Sequence, residues 1–171
     1  MKKRIILIIL ILLLGLTCFY FGQNCDNVKE GYYIEQGYSF KNPQSWEKTY
    51  ELGPLAFLNK NENNYNNPFK SYIFFIKDEL KGRSSEQYFD YIKTQVKNSS
   101  ESIEILDEKE EGAFHVIFIK AVQNENNYVI GTALTKGIQD TYFVISLKTL
   151  ESSFENTKPV FEEVYKTFKL R

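Results

Sequence analysis

The residues able to carry chemistry are few. The single histidine, His115, stands between Phe114 and Val116 in a β-branched, aromatic stretch. Nucleophilic catalysis through histidine needs a nucleophile and an acid beside it. Serines are plentiful, but no G-x-S-x-G turn occurs, so nothing presents one as a nucleophile. His115 therefore reads as a half-exposed sheet residue. The two cysteines, Cys18 and Cys25, both lie near the N-terminus. With one histidine they cannot furnish a four-ligand metal site, and no metal or cofactor is expected. Residues 59–68 hold six asparagines and one carboxylate, Glu62. Calcium loops need several carboxylates, so this run reads as a solvated hairpin loop. Asp107, Glu108, Glu110 and Glu111 surround Lys109 and read as a charged hairpin tip. Neither G-x-x-x-x-G-K-[ST] nor G-x-G-x-x-G occurs, which removes the familiar phosphate-cradling loops. Asn98-Ser99-Ser100 fits a glycan acceptor, relevant only in a pathway that glycosylates.

The N-terminus carries the strongest signal. Lys2, Lys3 and Arg4 precede residues 5–22, 18 positions without a charge. Eleven Ile and Leu lie between Ile5 and Leu16. At about 0.3–0.6 kcal/mol each they favour insertion by roughly 3–6 kcal/mol. The run spans about 27 Å as a helix, enough to cross a bilayer core. The leading cations keep their end cytoplasmic and send the remainder outward. Three forms fit. One is an uncleaved anchor, with Ile5, Leu10 and Leu14 in the bilayer and Phe19 and Phe21 at its outer interface. A second is a signal peptide, although no alanine precedes Ala56 to make an A-x-A site. The third is a lipoprotein signal with Cys18 lipidated in G-L-T-C, where Gly15 and Thr17 replace the usual residues. Setting the three leading cations aside leaves 18 basic against 22 acidic side chains. Such a mildly acidic domain, with no later basic run, is not expected to bind nucleic acid. Cys25 is then either a linker thiol or an intermolecular disulfide partner.

Residues 23–30 are polar and read as a linker, and residues 31–171 as one domain. Aromatic residues are 16% of the chain, with 14 Phe and 12 Tyr, ample for a core. Residues 37–42, 46–52, 55–59 and 70–76 read as strands, punctuated by Pro43 and Gly53-Pro54. Residues 84–96 read as a helix. Ser84 and Gln87 make a capping box, and Tyr88, Tyr91, Ile92, Gln95 and Val96 make its apolar stripe. Residues 101–109, 112–123, 128–135 and 141–147 read as an antiparallel meander. A last helix covers 159–169, with Pro159 in its first turn. Strands, helix, meander and helix in that order indicate an α+β fold, both helices covering one sheet.

The chain resembles a known family. Gly37-Tyr-Ser-Phe-Lys-Asn-Pro-Gln-Ser-Trp46 is similar to the opening of PsbP-like domains. There, too, an aromatic strand runs into a proline and then a tryptophan. Ser84 and Tyr88 in the helix, the aromatic strand 142–147, and Phe154, Phe161 and Phe168 at seven-residue spacing follow in the same order. The likeness covers roughly residues 37–169. It implies an α/β/α sandwich around an antiparallel sheet and a non-enzymatic role. The family includes the extrinsic PsbP protein of photosystem II, a nuclear import factor that binds the GTPase Ran, and bacterial envelope proteins. With no transit peptide, this chain resembles the envelope branch. Partner-binding residues vary between branches, so none is carried over.

The expected function is a membrane-tethered, extracytoplasmic protein-binding or assembly module without catalytic activity. It would sit at the cell membrane, facing the outside or the periplasm, with an envelope protein as partner. The first surface to consider is the asparagine-rich loop, with Asn64, Tyr65, Asn66 and the adjoining Phe69, because asparagine both donates and accepts and the rings add rigid apolar area. The alternatives are an envelope hydrolase using two carboxylates brought together by the fold, or a purely structural surface lipoprotein.

Overall fold

The computed structural model describes residues 28–29, 31–35, 37–50, 52, 55–60, 62, 69–79, 82–138 and 141–171. Ile5, Leu10, Leu14, Cys18, Phe19, Phe21 and Cys25 lie outside these residues, as do Asn64, Tyr65 and Asn66. Among the described residues, no helix is long and apolar enough to cross a membrane.

The strands in chain order are β1 (Val28–Lys29), β2 (Tyr32–Glu35), β3 (Tyr38–Lys41), β4 (Glu47–Thr49), β5 (Leu55–Leu58) and β6 (Tyr72–Glu79). Helix α1 (Ser85–Asn98) leads into β7 (Ser102–Glu111), β8 (Phe114–Gln123), β9 (Asn126–Lys136) and β10 (Thr141–Leu150). A 3₁₀ turn over Glu151–Ser153 opens α2 (Phe154–Thr167), and β11 (Lys169–Leu170) ends the chain. Among the described residues, seven strands form one sheet in the order β4-β5-β6-β10-β9-β8-β7, and four form another, β1-β2-β3-β11. Every pairing in both sheets is antiparallel.

Side-chain alternation along β8 sorts the core into two layers. Phe114, Val116 and Phe118 face α2, where Phe161, Val164, Tyr165 and Phe168 are buried against them. Ile117, Ile119 and Ala121 face α1, packing on Tyr88, Phe89 and Val96. The small sheet shares the α2 side, with Phe40 stacked on Phe75 at 4.3 Å and Tyr33 on Phe40 at 5.1 Å. Lys41 binds it to α2, its amide donating to Thr167 Oγ1 at 2.9 Å and its ammonium pairing with Glu163. The expected sandwich is present, with a second sheet completing one outer layer.

Several elements differ from expectation. β2 was not anticipated; Gly37, at φ +96, turns it back into β3. Val28–Lys29, within the span read as linker, pair with β2. Of residues 46–52 only Glu47–Thr49 are strand, and Trp46 is buried just before it. The acidic group 107–111 is no hairpin tip: it runs along β7, and Gly112 at φ +64 makes the turn. α2 begins at Phe154, which places Pro159 in its second turn. Phe154 packs edge-on to Phe118 at 5.5 Å, and this contact extends the helix backward. The hydrogen bond that Pro159 cannot make would end on Glu155, and both residues are exposed, where the loss of one helix bond is tolerated best.

Gly131 marks the closest approach of β9 to this layer. A Cβ there would stand 2.8 Å from a Phe118 ring carbon and 3.1 Å from one of Phe161. Both rings are buried and cannot swing away freely. Gly131→Ala is therefore expected to lower unfolding free energy by about 1–3 kcal/mol, as overpacking does. Urea denaturation checks this; an unchanged midpoint would show that the layer yields.

Candidate functional site

Helix α1 starts where the sequence places it. Ser84 Oγ accepts the Gln87 amide, and the Gln87 side chain accepts the Ser84 amide at 2.9 Å. Its buried residues sit over β8, β9 and β10. The same face of the sheet continues beyond the helix to Tyr72, Phe74 and Ile76 of β6, which remain half-buried or exposed. A groove of about 350 Å³ runs between the flank of α1 and this strand. Tyr88, Tyr91, Ile92, Gln95 and Val96 form its wall, the same stripe visible in the sequence.

The floor is a ladder of cross-strand rungs. Val144 pairs with Ile76, Ser146 with Phe74, and Lys148 with Tyr72. At the end nearer the helix N-terminus, Tyr142 and Ser85 hydroxyls meet at 2.6 Å, and the Tyr88 hydroxyl donates to Asp78 Oδ2 at 3.1 Å. Burial and then the Asp78 charge push the Tyr88 phenol well above its usual range, so it stays a donor.

The other end is basic. Lys148 is half-buried, and its ammonium donates to Gln123 Oε1 at 2.7 Å. It stands 4.4 Å from the centre of the Tyr128 ring and 5.9 Å from that of Phe69. Gln123 is itself oriented, its Nε2 donating to Ser100 Oγ at 3.1 Å. Among the described residues no carboxylate pairs with Lys148, the only charged side chain lining the groove. Burial alone lowers its pKa. Of the anticipated loop residues, the described one, Phe69, is brought to this end, half-buried against Tyr128 at 5.0 Å and Tyr72 at 5.9 Å. Lys148, Gln123 and Phe74 were not singled out from the sequence. The signal for Lys148 was a cation continuing the inward alternation of Tyr142, Val144 and Ser146 on β10.

A larger cavity, about 560 Å³, opens on the opposite side between Tyr33, Tyr38, Phe75 and Phe143. Among the described residues its lining holds one charge of each sign, Glu35 and Lys77. Glu35 accepts the Tyr33 hydroxyl at 2.6 Å. The described charges of this cavity balance, whereas those of the groove do not.

The remaining titratable groups fasten elements together. His115 is half-buried and stacks on Phe89 at 3.9 Å. Its Nε2 and Nδ1 each lie 3.1 Å from a carboxylate, those of Glu108 and Glu110. Lys93 of α1 hydrogen-bonds Glu108, and this holds the Glu108 carboxyl below its usual range. On the other face, Glu111 accepts the Tyr165 hydroxyl at 2.6 Å and pairs with Lys166 and Lys109. These contacts, the Tyr165 hydrogen bond first, hold Glu111 at about 2. Among the described residues, each carboxylate displaced from its ordinary pKa is displaced downward. A general acid of a carboxylate pair needs the opposite. Among the described residues no cluster of three or more His, Cys, Asp or Glu could hold a metal.

No protein-family model matches the sequence, and no curated protein matches it. Solved structures do match. The cyanobacterial PsbP protein of Synechocystis is 15% identical, with a TM-score of 0.59 over 86% of this chain and 98% of that one. The Ran-binding protein Mog1p of Saccharomyces cerevisiae is 19% identical, with a TM-score of 0.57 over 78% of this chain and 90% of that one. LpqN of Mycobacterium tuberculosis, described as involved in cell envelope biogenesis, is 12% identical, with a TM-score of 0.57 over 80% of this chain and 86% of that one. The chain has the PsbP-like fold.

Proposed function

We propose that this chain is a non-catalytic protein-binding module, held by residues 5–22 at the outer face of a membrane, with the groove beside α1 as its docking face. The observation that carries the reading is an open apolar groove whose lining, among the described residues, holds one charge, Lys148, with no described carboxylate paired to it. Exposed apolar surface rimmed by polar groups marks interaction sites on otherwise closed folds. Support for the location comes from the basic start and the uncharged run that follows it. The envelope role given for LpqN, and the protein partner given for Mog1p, agree with a binding module on this scaffold.

The test is site-specific photo-crosslinking in the intact cell. A photoreactive phenylalanine replaces Tyr91 in the groove wall of the full-length chain, or Glu155 on the exposed side of α2. The expected result is a discrete adduct from position 91, found in the membrane fraction and absent from position 155. Identical adducts from both positions, or none from position 91, would remove the groove as the docking face. A chain found wholly in the soluble fraction would remove the tether.

A further inference from the structure

We propose that the groove receives the last residues of a partner polypeptide in extended form, with Lys148 holding the free terminal carboxylate. The proposal rests on the docking reading above and names the chemistry of the occupant.

Charge comes first. Lys148 is half-buried between Tyr128 and Phe69, its neighbours are an amide oxygen and two ring faces, and no described carboxylate neutralises it. A half-buried cation without a counter-charge gains from an anion arriving from outside, because a charge-assisted hydrogen bond strengthens as the arriving group displaces water. Charge complementarity therefore fixes the sign of the occupant at this end.

Length comes next. Lys148 occupies the last rung of the floor, and Val144 lies four residues earlier on the same strand. That separation is about 13 Å, the reach of roughly four extended residues.

The walls choose between a polypeptide and a plain hydrocarbon tail. Phe74, Val144 and Ile92 offer apolar contact, but Thr132, Ser146 and Gln95 line the same groove. The Thr132 and Ser146 hydroxyls lie 3.3 Å apart, and each keeps a lone pair for another donor. A hydrocarbon chain would cover the exposed Gln95 amide and the open lone pairs of the buried hydroxyl pair with nothing that hydrogen-bonds. A peptide supplies side chains to the first set and amides to the second.

The experiment uses the full-length chain in phosphatidylcholine nanodiscs, screened against random heptapeptides displayed with free C-termini. Enriched sequences are then made as the free acid and as the C-terminal amide, and binding is read by fluorescence anisotropy. The expected result is apolar residues concentrated in the last four positions and a loss of about 10–100-fold on amidation, the range for a hydrogen-bonded charge. Lys148→Met should weaken the acid by the same factor and abolish the acid–amide difference, and Lys148→Arg should restore most of it. The amide comparison needs no variant, so a misfolded Lys148→Met leaves the test intact. Equal binding of acid and amide, no enrichment over an Ile92→Asp chain, or binding of oleate with no peptide bound would each overturn the proposal. Where that happens while the adduct from position 91 persists, docking stands and only the terminal-carboxylate assignment falls. Where the adduct is also missing, the docking reading falls with it.

Discussion

Replacing Phe161 with alanine is expected to remove about 3–5 kcal/mol of stability. Phe161 is fully buried where α2 meets the large sheet. Its ring meets Phe118 edge-on at 5.9 Å and Tyr165 at 5.3 Å, and closes over the bare backbone of Gly131. Truncation opens a cavity walled by rings and sheet backbone, neither of which collapses easily. Urea unfolding should show the loss as a lower midpoint with an unchanged slope. A second measurement isolates the cause. In the Phe161→Ala background the ring of Phe118 gains room to turn, so Gly131→Ala should cost about 1 kcal/mol less than it does alone. Strict additivity, or a loss below about 1 kcal/mol for Phe161→Ala, would show that α2 is not what Gly131 accommodates.

The parts of this fold visible in the sequence are those that local chemistry dictates. Ser84 and Gln87 fixed the start of α1, because a capping box satisfies two orphan donors within four residues. The long β-branched and aromatic run of β8 marked a central strand, since a strand covered on both sides is apolar at most of its positions. The order of aromatic motifs pointed to the PsbP-like fold, which the solved structures share. What stayed hidden depended on distant partners. β11 is two residues long and exists because Leu170 finds Tyr38 across the whole chain. Pro159 suggested a helix start, but the packing of Phe154 on Phe118 outweighed it. The groove was hidden for the same reason. Tyr88, Tyr91 and Ile92 could be assigned to one helical stripe, but not the line where that helix stops covering the sheet. That line decides whether Phe74 and Lys148 are core or site, and no local spacing encodes it.

Phe89→Ala should also cost about 3–5 kcal/mol, with a different consequence. Phe89 is nearly fully buried and lies against His115 with ring centres 3.9 Å apart. With Tyr88 and Val96 it provides the buried contacts of α1 on the sheet. Other ties among the described residues include hydrogen bonds from Ser85 and Tyr88, the Lys93–Glu108 pair and the partly buried Ile92. That pair is partly solvated, its side chains 26% and 32% exposed, and contributes under about 1 kcal/mol. Once Phe89 is truncated, α1 should open before the sheet does, as a local unit. Hydrogen exchange should accelerate across Ser85–Asn98 while β8, β9 and β10 keep their protection. The helix is also one wall of the groove, so peptides that bind the intact chain should bind Phe89→Ala at least about tenfold more weakly when both are folded, an ordering cost of about 1.4 kcal/mol. Phe161→Ala supplies the control, because it loses similar stability on the opposite face and leaves the groove untouched. If both variants bind alike, the position of α1 does not govern docking, and the wall that Tyr91 and Ile92 form is not part of the recognition surface.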